Sequence, residues 1–224
     1  DDICAVIHRD MRTMGDGGFD VAVVRLVVLA LDGEGRDAFM LNQRGGYLIL
    51  QLLVEEVTQQ PFGAVMQRAV LDPLELSCSS FERTPSPNTA EAYDAAGRTA
   101  PRFQYAAAGA TGFSTCVRDM VRWVQAHVEH GPTPPLDADL LRRMREPHGS
   151  QFGADIWGLG TMLYAPTAGD AFVFGHDGQN DPAINAAVRI NPDNSDAIVV
   201  LTSGGRLLAT RLAADRSAAG GARL

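Results

Sequence analysis

Near its C-terminal end the chain reads FVFGHDGQND, Phe172 to Asp181, an apolar run that ends in a histidine-aspartate pair and resumes as PAINAAVRI. Glycines flank the pair, and a backbone without Cβ atoms lets another molecule approach closely. His176 therefore either serves an active site or sits at a hairpin mouth with no chemistry. The choice turns on whether a nucleophile and a base accompany it.

Ser77, Ser79, Ser80 and Ser114 offer hydroxyls, but none has a base at a predictable spacing. Ser114 reads instead as a helix cap. A G-x-S-x-G elbow is absent, since GFSTC places Cys116 where glycine is needed. All 19 basic residues are arginine, with no lysine anywhere in the 224. A guanidinium stays protonated, so every mechanism that needs a lysine base or Schiff base is excluded within this chain. GDGG and GLGTML have neither the spacing nor the lysine of a phosphate loop. His127 and His130, three apart, read as a solvated helix end rather than a zinc pair, and His148 in REPHG reads as a loop residue. Cys4, Cys78 and Cys116 lie far apart without a C-x-x-C spacing. They are expected to be buried free thiols, forming neither a disulfide framework nor a metal site. No cofactor is implied.

Positioning these residues requires a core, and 224 residues with 46% hydrophobic content suffice for one compact domain. A net charge of −8 without a basic cluster excludes nucleic acid and anionic membrane surfaces as partners. The segment Phe19 to Leu31 is too short to span a bilayer and fits a buried strand or a buried helix equally.

GGYLILQLLVEEVTQQPF predicts an amphipathic helix with Tyr47, Leu50, Val54 and Val57 inside and Glu55 and Glu56 outside. Pro61 opens a second helix through Val70, which Asp72-Pro73 stops. Residues 77 to 110 have no clear period and predict a long loop-rich excursion of the kind that lines sites. Ser114 or Thr115 then caps a helix with an apolar face of Val117, Met120, Val121, Val124 and Val128. DADLLRRM makes a short helix capped by Asp137. WGLGTMLY, AFVFGH, AINAAVRI and AIVVLTS read as strands joined by short turns, hence antiparallel, and RLLATRLAADRSAA closes the chain as a helix. Helices before and after an antiparallel sheet predict an α/β (α+β) fold in three layers, with helices on both faces.

Taken in order, the segments GGYLILQLLVEEVTQQPF…LDPLELSCSSF, AAAGATGFSTCVRDMVRWV, DADLLRRM, WGLGTMLY, FGHDGQNDPAINAAVRINPDNSDAIVVLTSGG and LATRL resemble the β-lactamase-related serine hydrolases. These are the class C β-lactamases, penicillin-binding DD-peptidases and related esterases. The resemblance covers roughly residues 45 to 212 and implies a β-lactamase/transpeptidase-like three-layer sandwich. It divides the chain into a divergent or truncated N-terminal segment (1–40), a β-lactamase-like domain (41–217) and a tail (218–224).

That chemistry uses an S-x-x-K helix, a Tyr-x-Asn or Ser-x-Asn motif and a Lys/His-x-Gly strand. His176-Asp177-Gly178 is similar to the histidine form of the third. By resemblance, His176 orients or stabilises a bound carbonyl substrate, the Gln179 N–H is one oxyanion donor, and Asp177, Gly178 and Gln179 line the ligand. The second element lacks its tyrosine: in FMLNQRGGY, Asn42 stands at that position or serves as the motif asparagine. An amide cannot accept and return a proton as a phenolate does. The first element is absent, and loss of an acyl-enzyme nucleophile costs on the order of a millionfold in rate.

The resemblance thus implies a serine-hydrolase-like protein that is catalytically incomplete, with a cleft for a small acyl or peptide-like ligand. Two alternatives remain open. The chain is a portion of an active esterase, amidase or β-lactamase whose nucleophile helix lies upstream, or it is a non-catalytic interaction protein prone to self-association. Unpaired cysteines lean toward a cytoplasmic location, and an upstream signal would make it periplasmic.

Overall fold

The structure, a computed structural model, describes residues 43–81, 86–94, 96–101, 107–128, 137–151, 154–169, 171–180, 184–204, 209–210 and 212–213. Phe19 to Leu31 and Asn42 lie outside the described residues. Helix α1 (Gln43–Thr58) buries Val54 and half-buries Tyr47, Leu50 and Val57, as its 3.6-residue period requires. Gln51 and Thr58 complete the inner face: the Gln51 side-chain oxygen accepts from the Gly109 N–H at 3.0 Å, and the Thr58 hydroxyl donates to the Val54 carbonyl at 2.7 Å. Glu55 is not an outward charge. It is half-buried, and its carboxylate accepts from the Phe62 N–H at 3.0 Å, supplying the cap that Pro61 cannot make for α2 (Phe62–Met66). The helix continues as one π-turn over Gln67–Leu71 and ends at Asp72, because Pro73 has no N–H to extend it.

Within 77–107 the described residues form turns and isolated bridges, with no helix or strand. A short turn of helix α3 (Ala108–Thr111) leads to α4 (Val117–Ala126). The expected cap of α4 is not made. Cys116 is the N-cap residue without a side-chain bond, while Ser114 pairs its backbone with Ser80 (N–H to O 2.9 Å in both directions). The chain is therefore extended through Ser114, and its hydroxyl lies too early to reach the first turn. The buried face of α4 is also rotated from the valine stripe. Val124 and Ala126 are buried and Met120, Trp123 and Val128 pack against the core, whereas Val117 and Val121 are exposed. Asp119 and His127 draw the helix round because their side chains find partners inside. Helix α5 (Ala138–Met144) begins as expected, with the Asp137 carboxylate accepting from the Leu140 N–H at 2.9 Å.

Six antiparallel strands follow in the order β1 (Gly149–Gln151), β2 (Ala154–Trp157), β3 (Met162–Pro166), β4 (Phe172–Asn180), β5 (Ile184–Ile190) and β6 (Ala197–Thr202). REPHG is a loop through His148, as expected, and its Gly149 opens β1. WGLGTMLY is not one strand. Gly158–Thr161 folds as a turn onto the end of α5, where the Met144 carbonyl accepts from the Thr161 hydroxyl (2.7 Å) and the Leu159 N–H (3.1 Å). A Cβ on Gly158 would stand 2.1 Å from that carbonyl oxygen, so the turn admits only glycine. These bonds satisfy an end of α5 that would otherwise be orphaned.

Alternation along the strands sends Phe174, Val188 and Ile190 to one face of the sheet and Ala187 to the other. The first face, with Leu163, packs against Met120, Trp123, Val124 and Val128 near α4. Phe174 is 0% exposed; burying a side chain of that size contributes about 1.5–3 kcal/mol. On the second face Ala187 meets Ala209 and Ala213, both in helical conformation, beside Ile198 and Val200. Helices thus cover both faces. Among the described residues no helix is long and apolar enough to cross a membrane.

Candidate functional site

His176 lies in β4 opposite Val188 of β5 and is exposed on the α4 side of the sheet. Its Nδ1–H donates to the Asp177 carbonyl at 2.6 Å, which leaves the Nε2 lone pair of the neutral ring as the acceptor. The Trp157 ring stands 5.8 Å away, centroid to centroid. Pairing of β4 with β3 stops at Gly175, whereas pairing with β5 runs on to Asn180. Among the described residues, His176–Asn180 thus pairs with β5 and has left β3 behind.

The flanking glycines divide in role. A Cβ on Gly175 would sit 2.0 Å from the Val188 carbonyl oxygen, so the close approach there is made by β5 and not by a ligand. Gly178 is exposed, with only the Ala186 methyl at 4.0 Å. Asp177 alternates to the face opposite His176. Its carboxylate is engaged by Arg189 in two bonds, Nη1 to Oδ1 at 2.7 Å and Nη2 to Oδ2 at 3.0 Å. The Arg189 guanidinium also stacks on the Tyr164 ring at 3.6 Å. Burial, foremost, pushes the Tyr164 phenol up, and the same cause raises Tyr47. Neither phenol is a base near neutrality. Gln179 is half-buried on the Asp177 face.

The hydroxyls separate in the same way. Ser77 is exposed and lines, with Gln67, Leu71, Asp72, Glu75, Leu76 and Arg122, a cavity of ≈ 370 Å³ that includes no residue of β4. Ser79 alone among these serines is bonded to a carboxylate: its hydroxyl donates to Asp119 Oδ2 at 2.7 Å and accepts from Thr115 Oγ1 at 2.8 Å. Ser79 is buried, out of reach of a substrate. The pair ties residues 78–80 to α4, a role that no spacing rule reveals across 40 residues.

The cysteines depart from expectation. Cys78 and Cys116 form a disulfide across a separation of 38 residues, so they are not free thiols, and the ground for favouring the cytoplasm goes with them. The two sulfurs and a carboxylate oxygen of Asp119 lie within 4.8 Å of one another, the one cluster among the described residues with metal-ligating chemistry.

His127 is not at a solvated helix end. It is buried, stacked on Trp123 at 4.0 Å, and its Nδ1–H donates to the Trp123 carbonyl at 2.7 Å. Arg145 donates to the His127 carbonyl and lies over the Phe174 ring at 4.5 Å. Burial, with the nearby Arg145 charge adding to it, pushes the imidazole down to about 4. An unfolded histidine titrates near ~6.5. Between those values the unfolded chain binds a proton that the folded chain refuses. Stability from this ring is therefore complete above about pH 6.5 and falls as the pH drops toward 4, by about 3 kcal/mol at most. Urea midpoints at pH 7 and pH 4.5 are expected to differ more for the wild type than for His127→Gln; an equal acid loss in both would assign it to other groups.

The helix pair before the sheet and the helices against an antiparallel sheet are the layers of a β-lactamase/transpeptidase fold. A family model described as Beta-lactamase matches residues 43–222, and the chain belongs to that family. Three solved structures illustrate the likeness. The octameric penicillin-binding protein homologue from Pyrococcus abyssi superposes with a TM-score of 0.66 at 19% identity, over 79% of this chain and 41% of that one. A β-lactamase/D-alanine carboxypeptidase from Pseudomonas syringae gives 0.65 at 16% identity, over 80% and 58%. A class C β-lactamase from Rhodobacter sphaeroides gives 0.65 at 12%, over 79% and 59%. The chain thus spans about half the length of the structures it matches. None of the curated proteins compared with it matches.

Proposed function

We propose that this chain is a catalytically incomplete member of its family that keeps a binding face for a small acyl or peptide-like ligand around His176. The absence of lysine from all 224 residues carries the reading: without an ammonium group there is no S-x-x-K nucleophile helix, and no other base stands beside an accessible serine among the described residues. The departure of β3 from β4 after Gly175, seen among the described residues, supports ligand binding, because an extended peptide can lie beside a strand at such a place and draw on backbone bonds. His176 faces that ligand with its Nε2 acceptor, and Gly178 leaves room for close approach. Asn42, Gln179 and Asp177 complete the proposed set, with Asp177 acting through its backbone because its carboxylate is held by Arg189.

Incubation with a fluorescent penicillin and with a fluorophosphonate is expected to leave every serine unlabelled, and nitrocefin turnover is expected at the uncatalysed rate. Covalent labelling of a serine in this chain, removed by substituting that serine, would overturn the proposal.

A second reading is favoured by one observation. Helix α1 exposes Ile49 (61%) and Leu52 (55%), apolar side chains on which a further segment of the protein would pack. In that reading the chain is a portion of an active hydrolase, and an upstream segment supplies the nucleophile helix. Expression together with its natural upstream coding sequence distinguishes the two: penicillin labelling of an upstream serine establishes the second.

A further inference from the structure

We propose that Cys78, Cys116 and Asp119 form a redox-gated site for a thiophilic divalent cation such as Zn²⁺, closed when the two sulfurs are bonded and open when they are reduced. Three features of the structure converge on it. The two sulfurs and an Asp119 oxygen already lie within 4.8 Å of one another, with a Cα separation of 6.2 Å between the cysteines. Reduction and rotation of the side chains bring two thiolates to the roughly 3.8 Å that tetrahedral coordination at ~2.3 Å per sulfur requires.

Asp119 is 1% exposed, and its Oδ1 is buried without any hydrogen-bond partner. A buried carboxylate oxygen left unpaired is costly to the fold and calls for an explanation. A cation would satisfy it. The other oxygen, Oδ2, is held by the Cys78 N–H at 2.8 Å and the Ser79 hydroxyl at 2.7 Å, as outer partners hold the carboxylates that ligate metals.

Cys116 is the N-cap residue of the ten-residue helix α4, and its side chain makes no bond to that helix end. Cys78 is exposed and Cys116 half-buried, so a reductant and an ion can both reach the pair, and a fourth coordination position opens to water.

The redox step balances with a dithiol of the cell or a phosphine. A phosphine takes its oxygen from water and delivers two electrons and two protons, which convert the disulfide to two thiols. The cation then displaces both thiol protons. In the reverse direction the two thiolates pass two electrons to a disulfide of the glutathione type, which takes two protons from solvent and leaves as two thiols, while the Cys78–Cys116 bond re-forms and the ion is expelled.

Co²⁺ is the probe, added to the full chain carrying Cys4→Ser so that only this cysteine pair responds. After phosphine reduction and its removal, one equivalent is expected to give thiolate-to-cobalt charge-transfer absorption and tetrahedral d–d bands. The oxidised protein is expected to give neither, Cys116→Ser is expected to abolish the charge-transfer band, and Asp119→Asn is expected to weaken binding at least tenfold. Absence of the band in the reduced protein, or unaltered affinity in Asp119→Asn, overturns the proposal. X-ray absorption at the zinc edge of reduced protein with its native Asp119 decides the matter even where Asp119→Asn fails to fold. Two sulfurs with oxygen support the site, and any other sulfur count sinks it.

Discussion

Asp177→Ala is expected to destabilise the fold by about 3–5 kcal/mol, more than any surface change in the sheet. The Arg189 side chain is only 8% exposed and stacked over Tyr164, so it cannot turn to water once its carboxylate partner is gone. With only the Val188 carbonyl (2.9 Å) and the Tyr164 ring left to it, the buried guanidinium is not repaid for its lost hydration. The reverse change is milder: Arg189→Met leaves behind Asp177, whose side chain is 22% exposed and can rehydrate, for a cost of about 2 kcal/mol. The double variant, which buries no charge, is expected to recover most of the stability, with a coupling energy of about 1–3 kcal/mol from the cycle. Urea unfolding of the four proteins measures each term. Asp177→Ala within about 0.5 kcal/mol of wild type would mean that the pair is ornamental and that the carboxylate is free to serve a ligand.

That pair marks a limit on what the chain discloses before folding. FGHDG places a histidine and an aspartate side by side, and a resemblance to the Lys/His-x-Gly strand assigns both to one ligand. Strand geometry separates them, since neighbours along a strand point to opposite faces. Arg189 carries no local mark as the partner of Asp177; the twelve-residue separation becomes a contact only through the β4–β5 register that pairs Asp177 with Ala187.

Periodicity was the more dependable guide where a single face is buried. Val54 and its neighbours in α1, Asp137 at the start of α5 and the strands β4 to β6 between their turns all follow from local pattern, and the layered fold follows from their order. The same logic misjudged α4. Val117 and Val121 satisfy the helical period, but Asp119 and His127 lie inside, where the Cys78 N–H and the Ser79 hydroxyl bond Asp119 Oδ2 and the Trp123 carbonyl accepts from the His127 ring. Hydropathy counts transfer from water and is blind to partners from distant segments. Gly158 and Gly175 were visible as glycines, yet what each admits, the Met144 and Val188 carbonyls, is a tertiary fact.

Breaking the Cys78–Cys116 bond, by phosphine or by the double change Cys78→Ser and Cys116→Ser, is expected to cost about 4 kcal/mol. The figure follows from the 38-residue separation: freeing such a loop returns entropy to the unfolded chain equivalent to that energy at room temperature. For a chain of this size the loss lowers Tm by roughly 8–15 °C. The effect on the folded state is smaller, because the Ser80–Ser114 pairing and the Ser79–Asp119 bond hold the same two segments together without it. Reduced protein is therefore expected to keep its far-ultraviolet circular dichroism at 25 °C while melting earlier. Zn²⁺ added to the reduced wild type is expected to restore part of the lost Tm and to leave the serine double variant unmoved, since only the former has thiolates to offer. A Tm indifferent to phosphine would mean that the two sulfurs are not joined in the protein, and would leave Asp119 to be explained by packing alone.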